Sequence, residues 1–388
     1  MARAADSGVS ACPSAGFRAR CSGRGGPRAL NVVPDLRVVV PTLDEADTLP
    51  GLLADLAAQR GVDFEVVIAD GGSRDTTVAI ARAAGQRCIE CAPGRGHQMN
   101  QGAWDFTGRW LLFLHADTRL IHTQQLADAL AALAGTPGCT AGHFALSFAL
   151  DGVPAHGLLY RYMAAKSRTN RRYTINGDQG CLIRRRFFNA LGGYDTRLAF
   201  LEDQRLAGRI HDAGQWQLLP HAVITSARRF ECEGRLRRYA LMGLIMAMYV
   251  GELETFFTTA DAIYAPQSAT GRLRLVPYFR HALRVIEAAG PAHGVQAVWR
   301  VAGCVRAQTW QLHLAIALAL GRRVDAVKPV RLADRARSLS SSALAQPVHV
   351  AAQVVLFFVL AVAVFGPLAC LRLFSRPAPG PVFIARGQ

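Results

Sequence analysis

Two apolar runs that each lead to a carboxylate constrain the fold of this chain more than any other feature. Residues 64–69 (FEVVIA) end at Asp70, and residues 110–114 (WLLFL) lead into His115 and Asp117. Short apolar runs of this length, separated by helical patterns, are typical of buried parallel strands. The carboxyl ends of parallel strands meet at one edge of a sheet, where α/β proteins bind ligands. The sequence therefore predicts an α/β sheet whose ligand site carries Asp70 and Asp117.

Strand and helix patterns alternate through residues 36–232. Strands are predicted at 36–40, 64–70, 88–91, 110–114, 142–150, 181–184, 216–219 and 223–226. Helices are predicted at 48–60, 75–84, 98–107, 123–133, 185–191 and 201–214. This alternation predicts an α/β fold with a mixed, mostly parallel sheet that is flanked by helices.

The composition changes on both sides of this region. Residues 1–35 are rich in Ala, Arg, Gly, Ser and Pro, and we expect them to be disordered or to follow a start codon assigned too far upstream. Residues 233–345 predict a helical, membrane-proximal extension, in which 239–250 would form an interfacial or buried helix. The segment 348–372 contains 22 uncharged residues at 350–371 and predicts a single transmembrane helix, followed by a tail at 373–388. More basic residues precede this segment than follow it, which predicts a cytoplasmic catalytic region.

The net charge of +16 comes almost entirely from arginine, because only two of the 44 basic residues are lysines. Two interpretations remain open. The bias can reflect genomic composition, or it can provide a surface for anionic lipid headgroups or a nucleotide diphosphate. We predict no nucleic-acid partner, because the sequence has no recognisable nucleic-acid-binding module and no lysine-rich stripe.

Polar residues after the first two strands are candidates for contact with a nucleotide. Pro41, Thr42 and Glu45 follow the first strand, where they can contact a base or simply form a turn into the next helix. Asp70 precedes two glycines and can accept hydrogen bonds from ribose hydroxyls or a base imide, or can stabilise the turn.

Two further segments carry charge chemistry. In GRGHQMN (94–100) the glycines permit close backbone approach, and Arg95 can pair with phosphate oxygens. Asp117 offers a hard oxygen ligand for Mg²⁺ or Mn²⁺, which would neutralise charge on a leaving diphosphate. His115 lies two residues earlier and would be a ligand, a hydrogen-bond donor or a core histidine.

Together, four segments resemble the family 2 glycosyltransferases of the GT-A fold. They are VVVPTLDEADTL, VVIADGGSRDTT, GRGHQMNQGA and LLFLHADT. Within this family the sequence is most similar to a bacterial subgroup, the radical-SAM/selenodomain-associated glycosyltransferases. The segments that carry this similarity are RGHQMNQGA, FLHADT, NGDQG and FLEDQRLAGRI. The resemblance covers residues 36–232 and does not extend to the N-terminal stretch or the C-terminal third.

This resemblance implies roles for individual residues. Asp70 would meet the nucleoside and Arg95 the diphosphate, and Asn100 belongs to the same donor-binding motif. Asp117 occupies the place of the last carboxylate in the family's DxD motif, whereas His115 replaces the first and leaves metal affinity and metal choice open. Glu202 and Asp203 match the acceptor-side acid pair, with Asp203 as the general base. Asp178 and Gln179 lie where contacts with acceptor or sugar are expected.

The resulting prediction is a metal-dependent, inverting glycosyltransferase. It would move a single sugar from a nucleoside-diphosphate sugar to an acceptor hydroxyl, with a lipid-linked acceptor under consideration. We expect a single-pass protein of the bacterial inner membrane. The alternatives are a nucleotidyltransferase, a catalytically decayed, membrane-anchored protein that binds nucleotide sugars, and a processive polysaccharide synthase. The first would need a glycine-rich, lysine-bearing loop after the first strand, which Pro41-Thr42-Leu43-Asp44 does not provide. The last usually has several spanning helices, and only one is predicted here.

Overall fold

The computed structural model describes residues 34–150, 152–259 and 271–321. The chain folds into two compact units, which meet in sequence at Arg228 and Arg229. In the described residues no helix is both long and apolar enough to cross a bilayer. The predicted transmembrane helix at 348–372 and the tail at 373–388 lie outside the described residues, as do residues 1–33.

The first unit contains nine strands among its described residues, and they form one sheet. The strands are β1 (Leu36–Thr42), β2 (Phe64–Asp70), β3 (Arg87–Glu90), β4 (Trp110–Phe113), β5 (Arg119–Leu120), β6 (Ala141–Leu150), β7 (Val153–Pro154), β8 (Cys181–Arg184) and β9 (Trp216–Ser226). Their order across the sheet is β3-β2-β1-β4-β8-β6-β9-β5, and β7 pairs with β6.

Helices flank this sheet. They are α1 (Leu49–Ala57), α2 (Thr77–Ala83), α3 (Arg95–Ala103), α4 (Gln125–Gly135), α5 (Leu158–Ser167), α6 (Arg185–Ala190) and α7 (Glu202–Ala213), together with a 3₁₀ turn at Gly177–Gln179. The predicted α/β fold with a mixed sheet is therefore confirmed.

The sheet is less parallel than predicted. The pairs β1–β2, β2–β3, β1–β4 and β6–β9 are parallel. The pairs β4–β8, β6–β8, β5–β9 and β6–β7 are antiparallel. Because β8 runs against β4, Cys181 at its start pairs with Phe113 at the end of β4. The 3₁₀ turn before β8 consequently lies at the same sheet edge as the ends of β1, β2 and β4.

The core of this unit lies between the sheet and helices α3 and α7. Its buried members include Val39, Met99, Phe113, Ile183, Leu206, Ile210 and Trp216. The packing of α3 on β1 is so close that a Cβ at Gly102 would overlap the side chain of Val39. Only a glycine allows α3 to approach the sheet this closely, and this contact positions the first turn of α3 at the sheet edge.

The second unit is helical in its described residues. Its helices are α8 (Arg228–Glu233), α9 (Arg235–Val250), α10 (Thr255–Thr259), α11 (Val276–Ala288), α12 (Gly290–Ala307) and α13 (Trp310–Ala319). The uncharged run at 239–250 lies within α9, and that helix buries Leu241, Leu244, Ile245 and Met248.

Candidate active site

The carboxylate of Asp70 accepts hydrogen bonds from the loops around it. Its Oδ1 accepts from Thr42 Oγ1 (2.9 Å) and Ser73 Oγ (2.5 Å). Its Oδ2 accepts from the backbone N–H groups of Gly72 (3.0 Å) and Ser73 (2.8 Å). Burial raises the pKa of Asp70, but these hydrogen bonds outweigh burial and bring the pKa below its ordinary value. A carboxylate has about four acceptor positions, so Asp70 shapes this turn, and its contact with a nucleoside stays a prediction.

The predicted donor-binding residues after β1 hold two loops together. Pro41 is buried in β1, and Thr42 is only 1% exposed. The backbone N–H of Glu45 donates to Thr77 Oγ1 at 2.8 Å. The side-chain Oε2 of Glu45 accepts from Thr48 Oγ1 at 2.6 Å. The Thr42 hydroxyl and the Glu45 N–H therefore link the end of β1 and its loop to the end of β2 and the start of α2, whereas the Glu45 carboxylate bonds within its own loop.

The first two turns of α3 attach that helix to the site. Gln98, which the sequence analysis did not single out, donates from Nε2 to the carbonyls of Thr42 (2.7 Å) and Ala69 (2.8 Å). Asn100 donates to the carbonyl of Tyr194 and accepts from the N–H of Tyr194, both at 2.9 Å. Because both ends of its amide bind this one backbone segment, Asn100 positions the loop that contains Tyr194. The predicted donor contact of Asn100 stays a prediction.

His115 and Asp178 form a pair at the sheet edge. His115 Nδ1 lies 2.9 Å from Asp178 Oδ1. A Cβ on Gly177 would lie 2.7 Å from His115 Nε2, so the other side of the ring faces the Cα of Gly177. Burial lowers the pKa of His115, but its hydrogen bond with Asp178 and the charges of Asp178 and Asp117 raise the pKa overall, against the opposing charge of Arg95.

The acid pair begins helix α7. Asp203 Oδ2 accepts from the N–H of Gly177 at 2.6 Å, and its Oδ1 accepts from the N–H of Gln204 at 2.7 Å. Gln204 Nε2 donates to Asn176 Oδ1 at 2.7 Å. These bonds join the start of α7 to the 3₁₀ turn beside His115. The turn that contains Asp178 is therefore joined directly to the acid pair.

Burial shifts the pKa of both acids of the pair upward. Glu202 is 2% exposed, and burial raises its pKa to about 7, with Asp203 adding to the effect while Arg95 and His115 oppose it. Burial also raises the pKa of Asp203, although the N–H groups of Gly177 and Gln204 oppose it. A carboxyl group whose pKa lies near neutrality is suited to general acid–base work.

Arg95 connects the donor-side helix to this cluster. Its side chain is exposed at the start of α3. Desolvation lowers the pKa of Arg95, but a set of carboxylates raises it overall: Glu202, Asp178, Asp203 and Asp117. The structure thus brings Arg95 and His115 into the electrostatic field of Asp117, Asp178, Glu202 and Asp203.

Gln179 does not belong to the ligand-facing surface. It is 0% exposed, and its Nε2 donates to the carbonyls of Ser167 (3.0 Å) and Phe144 (3.2 Å). Its Oε1 accepts from the N–H of Asn176 at 3.0 Å. The side chain is enclosed by its own fold, so the structure gives no support to the predicted contact of Gln179 with acceptor or sugar, which stays a prediction. Its neighbour Asp178 is exposed and remains a candidate for such contact.

The possible metal ligands fit a cation that is bound together with the substrate diphosphate better than they fit a metal centre made by the protein alone. Across residues 34–150, 152–259 and 271–321, no three His, Cys, Asp or Glu side chains are grouped to hold a metal ion. Mg²⁺ is commonly held by one or two carboxylates together with substrate phosphates, and Asp117 supplies one half-buried carboxylate. His115 fits less well as a ligand, since Nδ1 is paired with Asp178 and Nε2 faces Gly177.

Comparisons with known proteins identify the family. Residues 37–192 match the family described as glycosyl transferase family 2. The chain is 33% identical over 178 residues to the PGL/p-HBAD biosynthesis glycosyltransferase of Mycobacterium tuberculosis, covering 44% of this chain and 67% of that protein. It is 33% identical over 96 residues to the succinoglycan biosynthesis protein ExoO of Rhizobium meliloti, covering 24% of this chain and 28% of that protein.

Among solved structures, S. aureus TarS 1–349 in complex with UDP aligns with a TM-score of 0.45 and 17% identity, covering 75% of this chain and 95% of that chain. The alignment with the mycobacterial protein covers two thirds of that protein's length. The chain therefore belongs to glycosyl transferase family 2 and is a glycosyltransferase.

Proposed function

We propose that this chain transfers a single sugar from a nucleoside-diphosphate sugar to an acceptor hydroxyl, with inversion at the anomeric carbon. The observation that carries the proposal is the acid pair at the start of α7, in which Glu202 is buried and Asp203 is half-buried. Two properties distinguish this pair from ordinary acids at a helix N-terminus: both carboxyl groups have raised pKa values, and both interact electrostatically with Arg95 and His115.

Asp203 is the general base of the proposed reaction. The acceptor oxygen forms a bond to the anomeric carbon while the bond from that carbon to the diphosphate oxygen breaks. The acceptor's proton passes to a carboxylate oxygen of Asp203, and the nucleoside diphosphate leaves with the bonding electrons. Attack on the face opposite the leaving group inverts the anomeric carbon, so no covalent enzyme intermediate is required.

The leaving diphosphate requires positive charge and hydrogen-bond donors. Arg95 begins α3, where unpaired backbone N–H groups and the helix dipole favour an anion. Asp117 is the residue that would hold Mg²⁺ or Mn²⁺ together with the diphosphate. When bound, that cation would supply charge neutralisation for the leaving group. His115, paired with Asp178, would orient the loop that carries Gly177.

Turnover of nucleotide sugars tests this proposal. The purified chain is incubated with UDP-, GDP- and dTDP-sugars and Mn²⁺, and release of nucleoside diphosphate is measured by chromatography. Replacing the base by Asp203→Asn should reduce kcat by about 10²-fold or more. Asp212→Asn removes an exposed acid at the other end of the same helix and is the matched control. Equal activity in both variants would refute the role of Asp203.

The same assay separates the alternatives. Release of pyrophosphate would indicate a nucleotidyltransferase. Stabilisation by a nucleotide sugar without any turnover would indicate a protein that binds donors but has lost catalysis.

We also propose a lipid-linked acceptor and a single-pass location in the bacterial inner membrane, with the catalytic unit in the cytoplasm. The support is the uncharged run at 350–371 and the excess of basic residues before it, both of which are features of the sequence outside the described residues. Transfer to acceptors in anionic liposomes should exceed transfer to soluble acceptors. Equal rates with and without liposomes would contradict the lipid proposal.

A further inference from the structure

A cavity opens beside the proposed base and continues into the core of the first unit. His115, Asn176, Gly177 and Asp203 line its mouth, and each is half-buried. Buried side chains line its floor: Met99, Phe113, Ile175, Cys181, Tyr194, Leu206, Ala207 and Trp216. The cavity is large enough to receive at least one water-sized group.

The floor of this cavity is held rigidly. Asn100 binds both backbone groups of Tyr194, and the Tyr194 ring meets Phe113 edge to face, with ring centroids 5.0 Å apart. Phe113 is fixed in turn as the last residue of β4, and Trp216 donates from Nε1 to the carbonyl of Ala207 at 3.3 Å. Such a floor does not need to rearrange before a ligand group enters, and preorganisation of this kind favours binding.

Among the floor's side chains the polar groups are the Tyr194 hydroxyl, the Cys181 thiol and the Trp216 N–H, and this N–H is bonded to the carbonyl of Ala207. Burial raises the pKa of the Tyr194 hydroxyl well above its ordinary value, as do the charges of Cys181, Asp203 and Glu202, so the hydroxyl stays neutral. Burial likewise raises the pKa of the Cys181 thiol to about 12. A sugar or phosphate would lose its hydrogen bonds to water on this floor without adequate replacement. An alkyl group makes no hydrogen bonds to water, so it would lose none on entering the floor.

We propose that this cavity is an acceptor subsite that takes an apolar carbon group adjacent to the reacting hydroxyl. The inference rests on the proposed function, because it places the acceptor hydroxyl at Asp203 on the mouth of the cavity. The hydroxyl stays at the polar mouth while its neighbouring carbon enters the apolar floor. The acceptor class is therefore an alcohol whose hydroxyl-bearing carbon carries an alkyl substituent.

Small alcohols are suitable probes because they contain only these two features. The full chain is incubated with the donor that it turns over, Mn²⁺ and equal concentrations of methanol, ethanol or 2-propanol. Alkyl glycoside and free sugar are quantified separately. The ratio of alkyl glycoside to hydrolysis should be about tenfold higher with ethanol than with methanol, the scale of one methylene in an apolar pocket. Equal ratios for the three alcohols would overturn the proposal.

Two substitutions should move this preference in opposite directions. Ala207→Val fills the floor and should reduce the ethanol-to-methanol preference to about one. Ile175→Val removes one methyl group and should shift the preference towards 2-propanol. Ala213→Val makes the same change as the first variant at an exposed position of α7 and is the matched control. An unchanged preference in both floor variants, each with a cooperative thermal transition, would refute the subsite.

Xenon binding tests the cavity independently of catalysis. Xenon is apolar and enters cavities lined by apolar side chains. The concentration-dependent ¹²⁹Xe chemical shift should be larger with the wild-type chain than with Ala207→Val, and unchanged by Ala213→Val. If no nucleotide sugar is turned over but xenon binds in this way, the proposed function fails while the apolar cavity stands. If donors are turned over and the alcohol ratios are equal, only the subsite fails.

Discussion

The substitution Gly177→Ala tests the geometry of the candidate site more sharply than removal of a charged group. Gly177 contributes no side chain, yet a Cβ there would lie 2.7 Å from His115 Nε2 and 2.8 Å from His115 Cε1. The same Cβ would lie 3.4 Å from Asp203 Oδ2, an ordinary contact. The residue does not have a positive φ, so alanine fits the backbone conformation and the effect is steric.

The size of the displacement follows from these distances. Ordinary contacts of a Cβ begin at 3.4 Å, so the His115 ring must move by about 0.7 Å. Its Nδ1 now lies 2.9 Å from Asp178 Oδ1, and a movement of this size in that crowded space would misalign the pair. A misplacement of about 1 Å at an active site costs about 10²-fold in rate. Overpacking costs about 1–3 kcal/mol of stability, so the fold should survive.

The assay compares donor turnover and thermal unfolding of Gly177→Ala with those of Gly135→Ala. Gly135 ends α4, has no atom within 4 Å of an added Cβ and does not have a positive φ. Gly177→Ala should lose about 10²-fold in kcat with a cooperative thermal transition, while Gly135→Ala should behave as wild type. Wild-type kcat in a folded Gly177→Ala protein would refute the reasoning that the His115 position matters for turnover.

Three further perturbations have expected outcomes. Asp117→Ala should abolish Mn²⁺-dependent donor turnover and leave the circular dichroism spectrum unchanged, and full activity would contradict the metal-binding role. The pKa of Glu202 is raised from 4.5 to about 7, so the folded state binds more protons than the unfolded state between these pH values. The stability that this group contributes is therefore lost as the pH rises through that interval. Calorimetry should show that Glu202→Gln raises Tm by at least about 2 °C at pH 8 but not at pH 4. Asp70→Ala removes the acceptor for the hydroxyls of Thr42 and Ser73 and for the N–H groups of Gly72 and Ser73. It should cost about 2–4 kcal/mol in urea unfolding, whereas a cost below about 1 kcal/mol would contradict the role of Asp70 in the turn.

The strands of the sheet could be predicted because their apolar periodicity is local. Leu36–Thr42, Phe64–Asp70 and Trp110–Phe113 begin and end within two residues of their predicted bounds. The two strands predicted at 216–219 and 223–226 are instead one strand, Trp216–Ser226. Pro220 and His221 interrupt the pattern, and the register with β6 shifts between His143 and Ala145. His221 has a φ of 65°, so an irregularity in a continuous strand resembled a loop in the sequence.

The sequence predicted which acids come together in the candidate site, but not which polar side chains face a ligand and which face the protein itself. Asp117, Asp178 and the Glu202–Asp203 pair are far apart in sequence, yet their charges act together on Arg95. Whether a polar side chain faces a ligand or its own fold depends on partners that a single sequence does not reveal. The carbonyls that accept from Gln179 Nε2 lie 12 and 35 residues away, and the partner of Asn100 lies 94 residues away.

Two costly features coincide where helix α7 begins, and their coincidence argues for chemistry at this point. Leu201 has a φ of 67°, a left-handed conformation that costs a residue with a Cβ about 1–2 kcal/mol. The next residue, Glu202, is buried although its carboxyl group then has a pKa near 7. Neither feature stabilises the fold, whereas the bonds of Asp203 to the Gly177 N–H and of Gln204 to the Ile175 carbonyl do. Those bonds fix the direction in which α7 starts, and that direction places the acid pair beside His115 and the cavity. Strain and a destabilised carboxylate are thus held at one position by hydrogen bonds that also assemble the candidate site, which is the arrangement expected of a preorganised base.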